Sequence, residues 1–316
     1  TDGMDQLIEK ILRKKNPIVV GLDTRLEYLP HFLIQKYGTH GHLNFCEAAK
    51  AILEFNMRII DAVSDLIPAV KIQLACYELY GVEGIKALSD TIRYAKQNGL
   101  TVIGDGKRND IGDTAKAYSS AYLGQTSLLA AGDRAFEMDA MTVNPYLGSD
   151  GITPFIEDCR NYDKDIFVLV KTSNPSAGEL QDRMTEGKRI YEVVADQVSQ
   201  WGRDTIGKFG FSKVGAVVGA TWPRQAARLR QRMPHTFFLV PGYGVQGGDA
   251  DDIAGCFDKN GMGAVVHASR SILCAYRSSP HGCPSSKYFA AAAREEVLRM
   301  AEDIENTLLL SGKKPW

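Results

Sequence analysis

The chain lacks the cysteine and histidine spacings from which metal and redox sites are built. Its six cysteines (Cys46, Cys76, Cys159, Cys256, Cys274 and Cys283) include no CxxC pair, and its six histidines form no ligand-spaced cluster. A metal site is therefore unsupported, and at 316 residues a disulfide framework of the small secreted kind is not expected. Excess charge of one sign is also missing. Lys plus Arg is 37 and Asp plus Glu is 38, so no bulk field favours nucleic acid or a membrane surface. No uninterrupted apolar run is long enough to span a bilayer and no leader-like pattern opens the sequence. Reduced thiols and a cytoplasmic location are the expectation. Low-complexity segments, Pro/Ser-rich linkers and sequence repeats are absent too.

What the chain has is a rhythm. Short β-branched apolar runs at Ile18–Leu22, Ala69–Gln73, Thr101–Asp105, Ala140–Val143, Ile166–Lys171, Gly215–Gly219, Thr236–Val240 and Gly263–His267 alternate with helical patterns. Runs this continuously apolar suit parallel strands covered on both faces. Phe45, Ala48, Ala49, Ile52, Ile59, Ile60 and Val63 make one helical stripe, and Ile190, Val193, Val194, Val198 and Trp201 another. Eight such strands predict an α/β fold, a (β/α)8 TIM barrel with a closed parallel sheet; an open doubly wound sheet is the alternative. The expected organisation is one barrel domain over 1–316. It has an insert at about 24–66 between strands one and two, a loop at 277–287, and a C-terminal helix at about 288–310 that packs back on the barrel.

Barrel sites form where strands end, and here those ends are polar. Asp23 ends strand one, Lys71 lies on strand two, and Asp105 and Lys107 lie on strand three within VIGDGKRNDIGDT. Asn144 and Pro145 follow strand four, and Thr172, Ser173 and Asn174 follow strand five. Asp105 and Lys107, two apart, share a strand face. Such a pair reads either as a strand-end ion pair or as a proton-transfer device. Strands seven and eight run into PGYGVQGGD and ASRSI. Gly242, Gly244, Gly247 and Gly248 allow close approach of an anion, a helix is expected near Asp249, and Arg270 offers a fork of donors to phosphate. The segment 175–187 reads as a plain surface loop or as a lid over the mouth.

These residues resemble the orotidine 5′-phosphate decarboxylase family. The match is Val102-Ile103 followed by D-x-K-x-x-D-I-x-x-T, met by Asp105, Lys107, Asp110, Ile111 and Thr114. GLDTR around Asp23, AVKIQ around Lys71, TSNPSAG around Ser173, PGYGVQGGD around Gln246 and SRSI around Arg270 extend it along the chain. The length and the insert look like the longer bacterial and protist branch. Ser269 stands where many relatives have Gly before the Arg, which bears on one backbone phosphate contact.

The resemblance implies cofactor-independent, metal-free decarboxylation of orotidine 5′-monophosphate to uridine 5′-monophosphate in pyrimidine biosynthesis. Lys71, Asp105, Lys107 and Asp110 would form an alternating charge network. Asp110, Ile111 and Thr114 would come from the neighbouring subunit of a homodimer. Asp23 and Lys71 would hold ribose hydroxyls, Ser173 would read the pyrimidine edge, and Gln246 and Arg270 would bind the 5′-phosphate. No nucleic acid or membrane partner is implied. The chemistry suits the residues: loss of CO2 from C6 leaves a lone pair with no conjugated sink, which an ammonium can stabilise and then protonate.

Three competing readings follow. A sugar-phosphate lyase such as ketogulonate-phosphate decarboxylase shares D-x-K-x-x-D but carries an acidic metal ligand where Lys71 stands. A Schiff-base aldolase could use Lys171, given apolar surroundings. A non-catalytic phosphate-ligand binder could use the same scaffold.

Overall fold

The computed structural model describes residues 3–244, 249–278, 286–313 and 316. Eight parallel strands close on themselves. They are β1 (Ile18–Gly21), β2 (Ala69–Gln73), β3 (Thr101–Arg108), β4 (Ala140–Val143), β5 (Asp165–Lys171), β6 (Val214–Val218), β7 (Phe238–Val240) and β8 (Ala264–Ala268). β1 pairs with both β2 and β8, so the sheet has no edge. The expected closed barrel is therefore the observed one, and the open sheet is ruled out.

Strand alternation sorts the core into two layers. One face of the strands gives Val19, Ala69, Ile103, Ala140, Phe167, Val217, Leu239 and Val265, a continuous apolar filling of the barrel. Helix α1 (Gly3–Lys14) plugs the bottom of that filling with Met4, Leu7, Ile8 and Ile11, all buried. The other strand face packs under the surrounding helices: α2 (Phe45–Val63), α3 (Gly81–Gln97), α4 (Gly112–Tyr122), α5 (Ser149–Tyr162), α6 (Ile190–Gly202), α7 (Pro223–Arg232) and α8 (Phe289–Leu310).

Local chemistry explains the boundaries. Asn44 caps α2 by accepting from the Glu47 N–H while the Glu47 carboxylate accepts from the Asn44 N–H. Pro223 opens α7, where a missing N–H does no harm. The insert between β1 and β2 holds α2 and a short helix, His31–Tyr37. α8 lies against α2, with the Phe289 ring stacked 4.8 Å from that of Phe55.

Three local expectations change. The α6 core stripe is Tyr191, Ala195, Val198 and Gly202; Val194 and Trp201 are only partly buried, and Ile190 and Val193 lie outside the stripe. The reason is that Tyr191 and two small residues form the closer-packing face. β7 begins at Phe238 rather than Thr236, because the Thr236 N–H is spent on Met233 O at 3.1 Å in a turn. The segment after β5 is structured: a 3-10 turn (Pro175–Ala177), a helical turn (Gly178–Gln181) and a small hairpin, Met184–Thr185 with Lys188–Arg189.

Candidate active site

The apolar filling of the barrel gives way to charge at the carboxyl ends of the strands. Asp105 sits at the centre. Its Oδ2 accepts from Lys71 Nζ at 2.5 Å and from Gln73 Nε2 at 3.2 Å; its Oδ1 accepts from Lys107 Nζ at 2.8 Å and from the Thr142 hydroxyl at 2.7 Å. Four donors fill the capacity of one carboxylate. Lys71 Nζ also lies 3.7 Å from Asp23 Oδ1. Strand register explains the neighbours: Gly21 pairs with Lys71 and Gln73 with Asp105.

Lys107 reaches Asp105 by an unusual route. β3 loses register with β4 between Gly104 and Arg108, and Lys107 adopts a left-handed φ of 48°. Such a conformation is disfavoured for a side chain with a Cβ and persists where surroundings enforce it. The Lys107 N–H donates to Thr142 Oγ1 at 3.0 Å, so one hydroxyl fixes both the lysine backbone and the aspartate. Plain strand alternation is not what aims the amine. The side chains of Lys71 and Asp105 are 3% and 8% exposed and that of Lys107 is 45% exposed, so of the two lysines Lys107 is the one open to a ligand.

Electrostatics follow from this packing. Burial pushes the Asp105 carboxyl up, but Lys71 and Lys107 outweigh burial and hold it well below the usual carboxylate range. Burial works against the Lys71 ammonium, yet Asp23 and Asp105 win and raise it above the ordinary lysine value. Asp105 is thus an anion and Lys71 a cation at neutral pH.

A cavity of about 550 Å3 opens above this cluster, a size suited to a small organic ligand. Asp23, Lys71, Asp105, Lys107, Ser173 and Arg270 all line it. Gly242 and the Arg270–Ser271 turn lie on its β7–β8 side. The helix expected near Asp249 is there, capped by Asp249, but only Ala250–Ile253 long. Gln246, Gly247 and Gly248 fall outside the described residues. Ser269 spends its hydroxyl on Gly21 O at 3.0 Å, tying β8 to β1.

Asp110, Ile111 and Thr114 are not brought to this cavity. The Asp110 carboxylate accepts from the Ile111 N–H at 2.8 Å, and Ile111 and Thr114 are exposed at the start of α4. Lys171 is also elsewhere: fully buried, it pairs with Asp182 Oδ1 at 3.0 Å and does not line the cavity. That placement removes the Schiff-base reading, which needs an amine facing the ligand.

Three residues at the site went unread in the sequence. Gln73 follows Lys71 by two on one strand, a spacing that does carry the signal. Thr142 offers none, since one threonine in an apolar strand looks like a β former. His267 also lines the cavity; its Nε2 is buried with no hydrogen-bond partner among the described residues, and the ring lies so near Gly21 that a Cβ there would sit 2.1 Å from Nε2. Burial, then the Lys71 ammonium, pushes its pKa down to about 3, so the imidazole is neutral.

A closed parallel barrel with paired charges beneath a ligand-sized mouth defines a (β/α)8 barrel with a small-molecule site at the carboxyl ends of its strands. Residues 16–278 match the sequence model of the "Orotidine 5'-phosphate decarboxylase / HUMPS family", and the chain belongs to that family. It is 46% identical over 298 residues to the orotidine 5'-phosphate decarboxylase of Caldicellulosiruptor bescii, covering 94% of this chain and 98% of the relative. The corresponding protein of Rhodopirellula baltica is 45% identical over 302 residues, covering 95% and 98%. The solved structure of Leishmania donovani OMP decarboxylase superposes with a TM-score of 0.74 at 29% identity, covering 98% of this chain and all of that one. The relatives are carboxy-lyases, and this chain is an enzyme of that class.

Proposed function

We propose that the protein decarboxylates orotidine 5′-monophosphate to uridine 5′-monophosphate, the closing step of pyrimidine nucleotide synthesis, without metal or organic cofactor. The observation that carries this reading is the Lys71–Asp105–Lys107 array at the floor of the cavity, with one ammonium exposed to it. The C6–carboxylate bond breaks, CO2 leaves, and the electron pair stays on C6. Lys107 stabilises that pair and gives it a proton; solvent restores the ammonium. Asp105 holds Lys107 in place. An ion pair at 4 Å in a medium of effective dielectric 20 is worth about 4 kcal/mol, the scale at which such an array acts. Asp105 also faces the departing carboxylate, a repulsion relieved as CO2 leaves.

In this reading Asp23 and Lys71 hold the ribose hydroxyls, Ser173 reads the pyrimidine edge, and Arg270 with Gln246 takes the 5′-phosphate. Phosphate contacts far from C6 supply binding energy that orients the reacting end. Asp110, Ile111 and Thr114 complete the cavity of a second copy of the chain. The exposure of Ile111 and Thr114, and the placement of all three away from their own cavity, support a homodimer with shared sites.

Chemistry also separates this reading from a metal-dependent sugar-phosphate lyase. A magnesium ion prefers carboxylate and water ligands, and the Lys71 cation occupies that position. The test is absorbance loss on adding orotidine monophosphate, with and without EDTA. Turnover unaffected by EDTA is expected. No turnover overturns the reading, and EDTA-sensitive turnover revives the metal-dependent one.

A further inference from the structure

Ser173, the residue given to the pyrimidine edge, is held from outside the cavity by the loop that follows β6. The Thr221 hydroxyl donates to Ser173 O at 3.0 Å, and the Trp222 indole N–H donates to Thr172 O at 2.8 Å. Gly219 passes so close that a Cβ there would sit 2.9 Å from Ser173 N and Cα, and its N–H donates to Lys171 O at 2.7 Å. Three consecutive carbonyls of the β5 end are thus gripped by Gly219, Trp222 and Thr221.

The same indole has a second role. Lys171 Nζ lies 5.0 Å from the Trp222 ring and 5.4 Å from that of Tyr191, and it pairs with Asp182. Asp182 belongs to the segment that follows β5 and also receives Arg189 at 3.5 Å. Gln181 of that segment closes the arrangement: its Oε1 accepts from Thr172 N at 2.9 Å and its Nε2 donates to Thr172 Oγ1 at 2.7 Å. Thr172 and Ser173 line the cavity, whereas Thr221 and Trp222 do not.

We infer that Thr221 and Trp222 are positioning residues for pyrimidine recognition. They fix the Ser173 backbone so that the side chain and N–H meet the base edge, and through Lys171 and Asp182 they tie the 175–189 segment to the same point. The inference rests on the proposed decarboxylase reading. It predicts an effect specific to the base, because ribose and phosphate are held by other strands.

The test compares full-length wild type with Thr221→Val, Thr221→Ser and Trp222→Phe. Readouts are steady-state decarboxylation, binding of uridine monophosphate and of ribose 5-phosphate, and thermal unfolding. Losing one partly buried donor should raise KM for orotidine monophosphate and weaken uridine monophosphate about five-fold in Thr221→Val and Trp222→Phe. Ribose 5-phosphate binding should stay within about two-fold, and Thr221→Ser, which keeps the hydroxyl, should match wild type within the same margin. If Thr221→Val and Trp222→Phe bind uridine monophosphate like wild type, or lose both ligands equally, the inference is overturned. A wild type that does not turn over orotidine monophosphate overturns the functional reading itself. Active wild type with unaltered variants overturns the positioning role alone.

Discussion

Both ends of this barrel bury charge, and they do so to opposite purpose. At the bottom, Lys213 pairs with Asp163 at 2.6 Å and Lys96 with Asp139 at 3.0 Å; the other Asp139 oxygen accepts from Val102 N at 2.8 Å. Lys14 donates to Ser64 O and Ile67 O, and the Arg230 guanidinium to Gly263 O and Thr236 O. Each of these four cations finds a carboxylate or carbonyl that strands and turns leave open, and α1 seals the end. At the top, two cations share one carboxylate beneath open space. Buried polar atoms at that end, Asp23 Oδ1, His267 Nε2 and Ser271 Oγ, have no hydrogen-bond partner among the described residues. Asp165 Oδ1 at the bottom also lacks a partner among the described residues, but the top charges line a cavity of ligand size, and that placement separates functional from structural charge.

The contrast can be broken by substitution. Asp105→Asn should have the largest combined effect on activity and stability, lowering kcat about 10^3-fold and destabilising the fold by ~3 kcal/mol, since it strands the buried Lys71 ammonium. Steady-state assays and urea unfolding measure both; a loss of activity alone would mean that Lys71 does not depend on Asp105. Arg270→Ala should come next, weakening uridine monophosphate by about 10- to 100-fold with little change in stability. Unchanged affinity by calorimetry would count against the phosphate assignment.

The pH dependence of stability sharpens the comparison. Folded His267 stays neutral down to about pH 3, while the unfolded chain takes up that proton near 6.5. The unfolded state binds more protons between those values, so His267 leaves stability intact above about 6.5 and erodes it as the pH falls. Wild type should lose about 2 kcal/mol between pH 7.5 and pH 5 that His267→Asn does not lose. Parallel urea curves for the two proteins would refute a buried neutral imidazole.

The smallest effect belongs to the bottom. Burial raises the Asp165 pKa well above its ordinary value, with Lys213 opposing. The folded chain then keeps a proton that the unfolded chain releases, so Asp165 works against the fold as pH rises. Asp165→Asn should leave kcat/KM unchanged and raise stability at pH 8 by roughly 1 kcal/mol. A drop in activity would show that the two ends are not independent.

Much of this was legible in the sequence because it depends on local pattern. Eight apolar runs placed eight strands to within a few residues, and strand-end charges placed Asp23, Lys71, Asp105 and Lys107 around one cavity. What escaped depends on distance in sequence. Thr142 matters only because β4 lies beside β3, and His267 only because its ring covers Gly21 across a strand pair. The left-handed Lys107 could not be foreseen, since nothing before it but Gly106 marks the break in register. Lys171 looked reactive as a lysine on an apolar strand, yet its partner, Asp182, follows eleven residues later in a segment that reads as loop.

The central claim is that Lys107 supplies the proton to C6. The direct measurement is decarboxylation of orotidine monophosphate by Lys107→Ala, with circular dichroism and thermal unfolding to establish that the fold is kept. The account predicts a folded protein whose kcat falls by at least about 10^3-fold. Turnover near the wild-type rate would contradict it.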